Sequence, residues 1–241
     1  MTLDDPDLVR AQYADEHGLS ARRSVFATFE GVSPVELAVA AVAEARPRRV
    51  LEVGGGQGEL GEQLVRELGV ELVEVDQSER MVELMRARGL DARVADVQAL
   101  PFGDGEFDCA VAAWMLYHVP DLERGLGELA RVLGLGGRLV AVTNGESHMD
   151  ELWTLIGAEP LHRSHTFRCE NGADLLGAHF ARVERRAAGG TVLFDRDSAR
   201  GYLTSGLLPG LEPRLPDTGW PRRVRTESCV FVAEGSQGPF K

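Results

Sequence analysis

Residues 49–58 read RVLEVGGGQG, and Asp76 stands at the end of the next apolar run. Glycines at this density let a backbone turn approach a ligand closely. A carboxylate at the tip of the following strand can then accept both hydroxyls of a ribose. The chemistry implied is nucleoside binding. Glu52, just before the glycines, is awkward beside a pyrophosphate and suits an ammonium group. Asp96 and Val97 close a later apolar run, where an acid and a backbone amide can read an adenine amino group and ring nitrogen. Residues 56–61 also match the dinucleotide pattern GxGxxG, with Asp76 about 20 residues on. That pattern alone does not separate NAD from other adenosine cofactors.

These groups need a scaffold that puts strand ends side by side. Ser33-Pro34-Val35-Glu36 opens a helix, with Ser33 as its cap and Glu36 completing a capping box, and Pro47 stops it. Short apolar strands follow at 50–53, 71–76, 92–96, 107–113 and 137–143. Helices at 60–68, from Ser78 to Arg88 and at 121–133 lie between them. Regular β-α alternation predicts an α/β fold with a doubly wound, mostly parallel sheet. Beyond it, 146–156 and 173–180 read as helices. Runs 182–187 and 191–194 read as strands turned at Gly189-Gly190. A helix at 198–206 and a last strand at 227–233 end the chain. The organisation expected is a helical cap over 1–32 and one domain over 33–241, with an insertion at about 145–170.

The chain has 241 residues, 44% hydrophobic and 27% charged, which allows a full globular core. A net charge of −12 argues against generic attraction to nucleic acid or an anionic membrane. No apolar run reaches the ~18 residues of a membrane span, and the acidic opening MTLDDPDLVR is unlike a secretory leader. Cys109, Cys169 and Cys229 match no metal spacing; Cys109 and Cys229 read as small buried hydrophobes. The odd count points to a reducing compartment, so a cytoplasmic location is expected.

Four stretches, VLEVGGGQG, VEVDQSERMVELMRARG, ADVQALPFGDGEFDCAVAAWMLYHVPD and LERGLGELARVLGLGGRLVAVT, cover Val50 to Thr143. Together they resemble class I S-adenosylmethionine-dependent methyltransferases of the small-molecule and ubiquinone-type group. The resemblance implies a Rossmann-like sheet of seven strands whose C-terminal strand is antiparallel. It implies S-adenosyl-L-methionine as cofactor and S-adenosyl-L-homocysteine as product. Gly54, Gly56 and Gly58 would pass under the methionine part, with Glu52 near its ammonium. Asp76 would bind the ribose, Gln77 and Met81 would flank the adenine, and Asp96 and Val97 would read it. Ala113 and Trp114 would meet the methionine moiety. Tyr13 to Arg22 is similar to a segment whose tyrosine and arginine close over the cofactor; it reads equally as an amphipathic helix with a surface arginine.

The acceptor side is less determined. A general base is needed only when the nucleophile carries a proton that must leave early, and His17 and His148 are the candidates. Phe26, Phe29, Trp153 and Phe167 could line an apolar pocket or serve as ordinary packing. Metal is disfavoured, because the positions after the fourth and fifth strands hold Ala113-Trp114 and Thr143-Asn144. The expectation is methyl transfer to an O, N or C atom of a small organic molecule, in bacterial secondary metabolism, with neither nucleic acid nor membrane as partner. The rivals are an NAD-dependent oxidoreductase and a cofactor-binding protein without transfer activity. The oligomeric state is not legible.

Overall fold

A computed structural model describes residues 22–205 and 214–236. Its centre is one sheet whose strands, in chain order, are β1 (Glu30–Val32), β2 (Arg49–Val53), β3 (Glu71–Asp76), β4 (Asp91–Val94), β5 (Phe107–Ala113), β6 (Leu133–Asn144), β7 (Phe180–Phe194) and β8 (Arg222–Ser236). The spatial order is β1-β7-β8-β6-β5-β2-β3-β4. The run from β6 to β4 is parallel, whereas β8 runs antiparallel to both β6 and β7. The architecture is therefore the Rossmann-like one expected. It has eight strands rather than seven, because Glu30–Val32 adds an edge strand antiparallel to β7. That strand lies inside the stretch read as a separate cap, so residues 30–32 belong to the main sheet.

The buried strands read as nearly unbroken apolar runs because helices cover both faces. Alternate residues part to opposite sides. Val50, Val111, Val140 and Val142 meet α1 (Pro34–Ala45) and α2 (Glu59–Leu68), while Leu51, Val53, Ala112 and Leu139 meet α4 (Leu122–Val132). Each Val or Leu so enclosed contributes about 1.5–3 kcal/mol. Ser33 caps α1 by accepting from the Glu36 amide, and Ser78 caps α3 (Glu79–Ala87) by accepting from the Met81 amide. The return bond from the Glu36 side chain that would complete a capping box is not formed.

Two expectations are corrected. First, Gly189-Gly190 make no turn: β7 runs straight through them. They lie between β1 and β8, where a Cβ on Gly189 would strike the Thr226 carbonyl and one on Gly190 the Glu30 carbonyl. Close approach of three backbones, rather than a reversal, requires glycine there. Second, Cys169 and Cys229 form a disulfide, with Cα atoms 5.7 Å apart across 60 residues of sequence. The Cys169 amide donates to the Asn144 carbonyl at the end of β6, which brings the cysteine beside β8. The odd cysteine count therefore no longer argues for a reducing compartment. The segment expected as an insertion at about 145–170 packs against the rest of the domain. Met149, Leu152 and Trp153 share a core with Val25, with Val192 and Phe194 of β7, and with Tyr202 and Leu203 of α7 (Arg196–Leu203). Among the described residues, no helix is long and apolar enough to cross a membrane.

Candidate functional site

The sheet order reverses between β2 and β5, and a crevice must open outside their carboxyl ends. A cavity of about 1010 Å³ lies there. Its floor is the turn after β2, where Gly54, Gly56 and Gly58 all take positive φ (68°, 59° and 76°), a conformation that favours glycine. Gly58 is the N-terminal cap of α2 and lies behind the lining; Gly54 and Gly56 face the cavity.

Asp76, at the tip of β3, accepts the Gly56 amide (3.3 Å) on one oxygen and the Ser78 amide (2.9 Å) on the other. Burial raises its pKa, and the amides of Ser78, Gly56 and Gln77 oppose that rise. Each oxygen has a further lone pair, so the carboxylate can still accept two ligand hydroxyls. Gln77 also lines the cavity. Met81 does not flank it: its side chain is fully buried with Val82, Met85 and Ala92 beneath α3. Asp96 and Val97 line the opposite wall. Asp96 caps the turn Val97–Ala99, and both its oxygens lie 3.0 Å from the Gln98 side-chain amide. The Arg131 guanidinium fixes the next loop by donating to the Leu100 and Phe102 carbonyls and pairing with Asp104 and Glu128.

Glu52 lines the cavity, and its register partner on β3 is Glu74; their exposures are 2% and 0%. Glu74 was not singled out from the sequence, although an acid in the run LVEV is its own signal. No N–H or O–H of another described residue reaches either oxygen of Glu74, or Oε2 of Glu52. The two carboxyl groups face each other across the β2–β3 register, and their raised pKa values favour keeping a proton on the pair. Burial pushes Glu52 up to about 7, against the Glu74 hydrogen bond and the Arg23 charge, with Asp76 adding to the rise. Burial and the facing Glu52 charge raise Glu74 as well. Gly55 and Gly61 make room for this pair, since a Cβ at either position would overlap the Glu74 carboxyl.

The other wall is built by β5, β6, β8 and the segment before β1. Ala113 and Trp114 follow β5 into the lining, Trp114 at φ 54°, unusual for a bulky side chain. Arg22, Phe26 and Phe29 line this side. The Arg22 guanidinium donates to the Ser205 carbonyl (2.7 Å), while Arg23 pairs with Glu59 and is the arginine whose charge reaches Glu52. His148, 4% exposed, lines the wall with Nδ1 2.8 Å from the Glu227 carbonyl. Asn144, Ser228 and Tyr202 join it, and sequence reasoning missed all three as acceptor-side residues. Trp153 and Phe167 do not: they are 2% and 0% exposed, within separate core clusters. Tyr13 and His17 lie outside the described residues.

Residues 51–141 match the family model of a methyltransferase domain. Demethylmenaquinone methyltransferase of Thermus thermophilus is 42% identical over 106 residues, covering 41% of this chain and 48% of that one. A ubiquinone/menaquinone biosynthesis C-methyltransferase of Methylobacterium nodulans is 31% identical over 132 residues, covering 51% and 50%. The matched stretch is thus similar to class I S-adenosylmethionine-dependent methyltransferases, and the cofactor this similarity implies is S-adenosylmethionine. In fold, the chain superposes on phosphoethanolamine N-methyltransferase 2 of Haemonchus contortus, solved with S-adenosylhomocysteine, at a TM-score of 0.62. That match has 15% identity and covers 95% of this chain and 60% of the other. The chain spans about half the length of the curated relatives it matches.

The residues present fit that cofactor. The unpartnered Glu52 oxygen suits an ammonium group, and the spare lone pairs of Asp76 suit a ribose. Two buried carboxyls under the glycine turn would repel the pyrophosphate of a dinucleotide.

Proposed function

We propose that this chain transfers a methyl group from S-adenosylmethionine to a small organic acceptor held against the β5–β6–β8 wall. The observation that carries the reading is a single cavity lined by two unlike sets of elements. The tips of β2 and β3 and the loop after β4 bring Glu52, Asp76 and Asp96, whereas the segment before β1 and the β5, β6 and β8 side bring Phe26, Phe29, Trp114, Asn144, His148 and Ser228. The cofactor supplies a sulfonium-bound methyl that a nucleophilic O, N or C atom can take. Glu52 binds the ammonium, Asp76 the ribose, and Asp96 with the Val97 amide the adenine edge. The two phenylalanines and Trp114 exclude water from the acceptor. With the leaving group already good, positioning and desolvation supply most of the rate.

His148 is the proposed base. Nδ1 lies 2.8 Å from the Glu227 carbonyl and 3.2 Å from the Glu227 amide; the base role requires the Nδ1–H tautomer, which the shorter of the two contacts favours. Nε2 is then the basic nitrogen, and it takes the proton of an acceptor hydroxyl. The relatives are named for quinone biosynthesis. A quinol- or phenol-type ring is therefore the acceptor class to test first, ahead of secondary metabolites, and a cytoplasmic site of action remains part of the proposal.

Methyl-labelled cofactor incubated with a panel of quinols, phenols and amines tests the function; no labelled product from any acceptor class would count against it. Transfer is expected to survive excess chelator, since no cluster of metal-binding side chains occurs among the described residues. Loss of activity with chelator, restored by Mg²⁺, would contradict this. His148→Ala is expected to lower kcat by about 10²–10⁴-fold for a hydroxyl acceptor and to remove the lower limb of its pH profile. A wild-type profile in the variant would dismiss His148 as base.

A further inference from the structure

The acceptor wall holds a fixed hydrogen-bond donor that the reading above leaves unused. Asn144 ends β6, and its register partner on β8 is Ser228. The Trp114 indole Nε1 donates to Asn144 Oδ1 at 3.1 Å, and the Ser228 hydroxyl donates to the same oxygen at 2.9 Å. An indole N–H can only donate, so the amide oxygen must face it and the amide cannot flip. Both lone pairs of Oδ1 are then taken. The Nδ2 group is turned away from Trp114 and Ser228, and no described acceptor takes its protons.

Three elements are used to hold one amide. The left-handed Trp114 puts its indole over Asn144, and the β6–β8 register supplies Ser228. The neighbouring position on β8, Glu227, orients His148 through its backbone. The fixed amide and the imidazole both line the cavity, each held by β8. Among the described lining residues, the acids Glu52, Glu59, Asp76 and Asp96 come from β2, α2, β3 and the loop after β4; β6 and β8 contribute none. A wall that offers N–H donors and no carboxylate favours an oxygen bearing negative charge.

We propose that Asn144, clamped by Trp114 and Ser228, is the residue that binds an oxygen of the quinol- or phenol-type acceptor. This rests on the methyl-transfer reading and deepens it by naming the residue that holds the acceptor oxygen. Phe26, Phe29 and Trp114 accommodate the ring, Asn144 Nδ2 donates to the oxygen, and His148 holds the proton removed from it.

The test uses the full chain saturated with S-adenosylhomocysteine, with 4-nitrophenol as probe, because its absorption reports ionisation directly. Wild type is expected to bind the probe and lower its apparent pKa. In Asn144→Asp the carboxylate still accepts from Trp114 and Ser228, so the wall is preserved while the donor is lost. That variant is expected to bind the probe roughly tenfold or more weakly and to bind S-adenosylhomocysteine as wild type does. Ser228→Ala, which keeps the indole bond and loosens the amide, is expected to fall between the two. Equal probe affinity in wild type and Asn144→Asp, or no pKa shift on wild type, overturns the proposal. Failure to bind S-adenosylhomocysteine at all would instead overturn the methyl-transfer reading, and calorimetry run beforehand separates these outcomes.

Discussion

Asp76→Ala is expected to weaken S-adenosylhomocysteine binding by about 1.5–3 kcal/mol, the range for hydrogen bonds to a charged group. The carboxylate is half-buried at the tip of β3 and already organised by the Gly56 and Ser78 amides. It pays little ordering cost when a ribose arrives. Removing it also leaves those two amides without an acceptor next to the glycine turn, so the loss should sit near the upper end. Asp76→Asn keeps the shape and one acceptor oxygen and should fall between. Calorimetric titration reads both. An unchanged dissociation constant in the alanine variant would mean that the ribose lies elsewhere.

The second large effect concerns the buried pair beneath that turn. Glu52 and Glu74 both have raised pKa values, Glu52 to about 7 from an ordinary 4.5. Between those values the folded chain keeps a proton that the unfolded chain has released. Stability must therefore fall as pH rises from about 4.5 towards 7. In Glu74→Gln the amide donates to Glu52 and the second titrating carboxyl is gone, so the fall should become shallower, while Glu52, still buried, keeps part of it. Relative to wild type, the variant should therefore gain stability between about pH 4.5 and about pH 8. Urea unfolding of both proteins across this range measures it. Parallel stability curves would show that the pair holds no proton in the folded state.

What could be read in the sequence was whatever depends on local order. The glycine turn, Asp76, Asp96 and the β-α alternation are set by residues close along the chain, and Phe107–Ala113 and Glu71–Asp76 form strands with the bounds expected. Partners distant in sequence were hidden. Ser228 meets Asn144 across 84 residues, and Cys169 joins Cys229 across 60. The β6–β8 register sets Ser228 beside Asn144, and the bond from the Cys169 amide to the Asn144 carbonyl then brings Cys169 to Cys229. Gly189-Gly190 misled because a glycine pair serves a turn and a close backbone crossing equally well, and the crossing needs β1, whose three residues carry no strand pattern. Met81, Trp153 and Phe167 misled for the opposite reason: large apolar side chains near a site are more often part of the core that supports it.

The central claim is that the cavity at the β2–β5 crevice is an S-adenosylmethionine site. Calorimetric titration of the full chain with S-adenosylhomocysteine, and separately with NAD, tests it most directly. Saturable one-to-one binding of S-adenosylhomocysteine with no heat from NAD is the expected result. Binding of NAD in its place would contradict the account, since two buried carboxyls would then lie beneath a pyrophosphate.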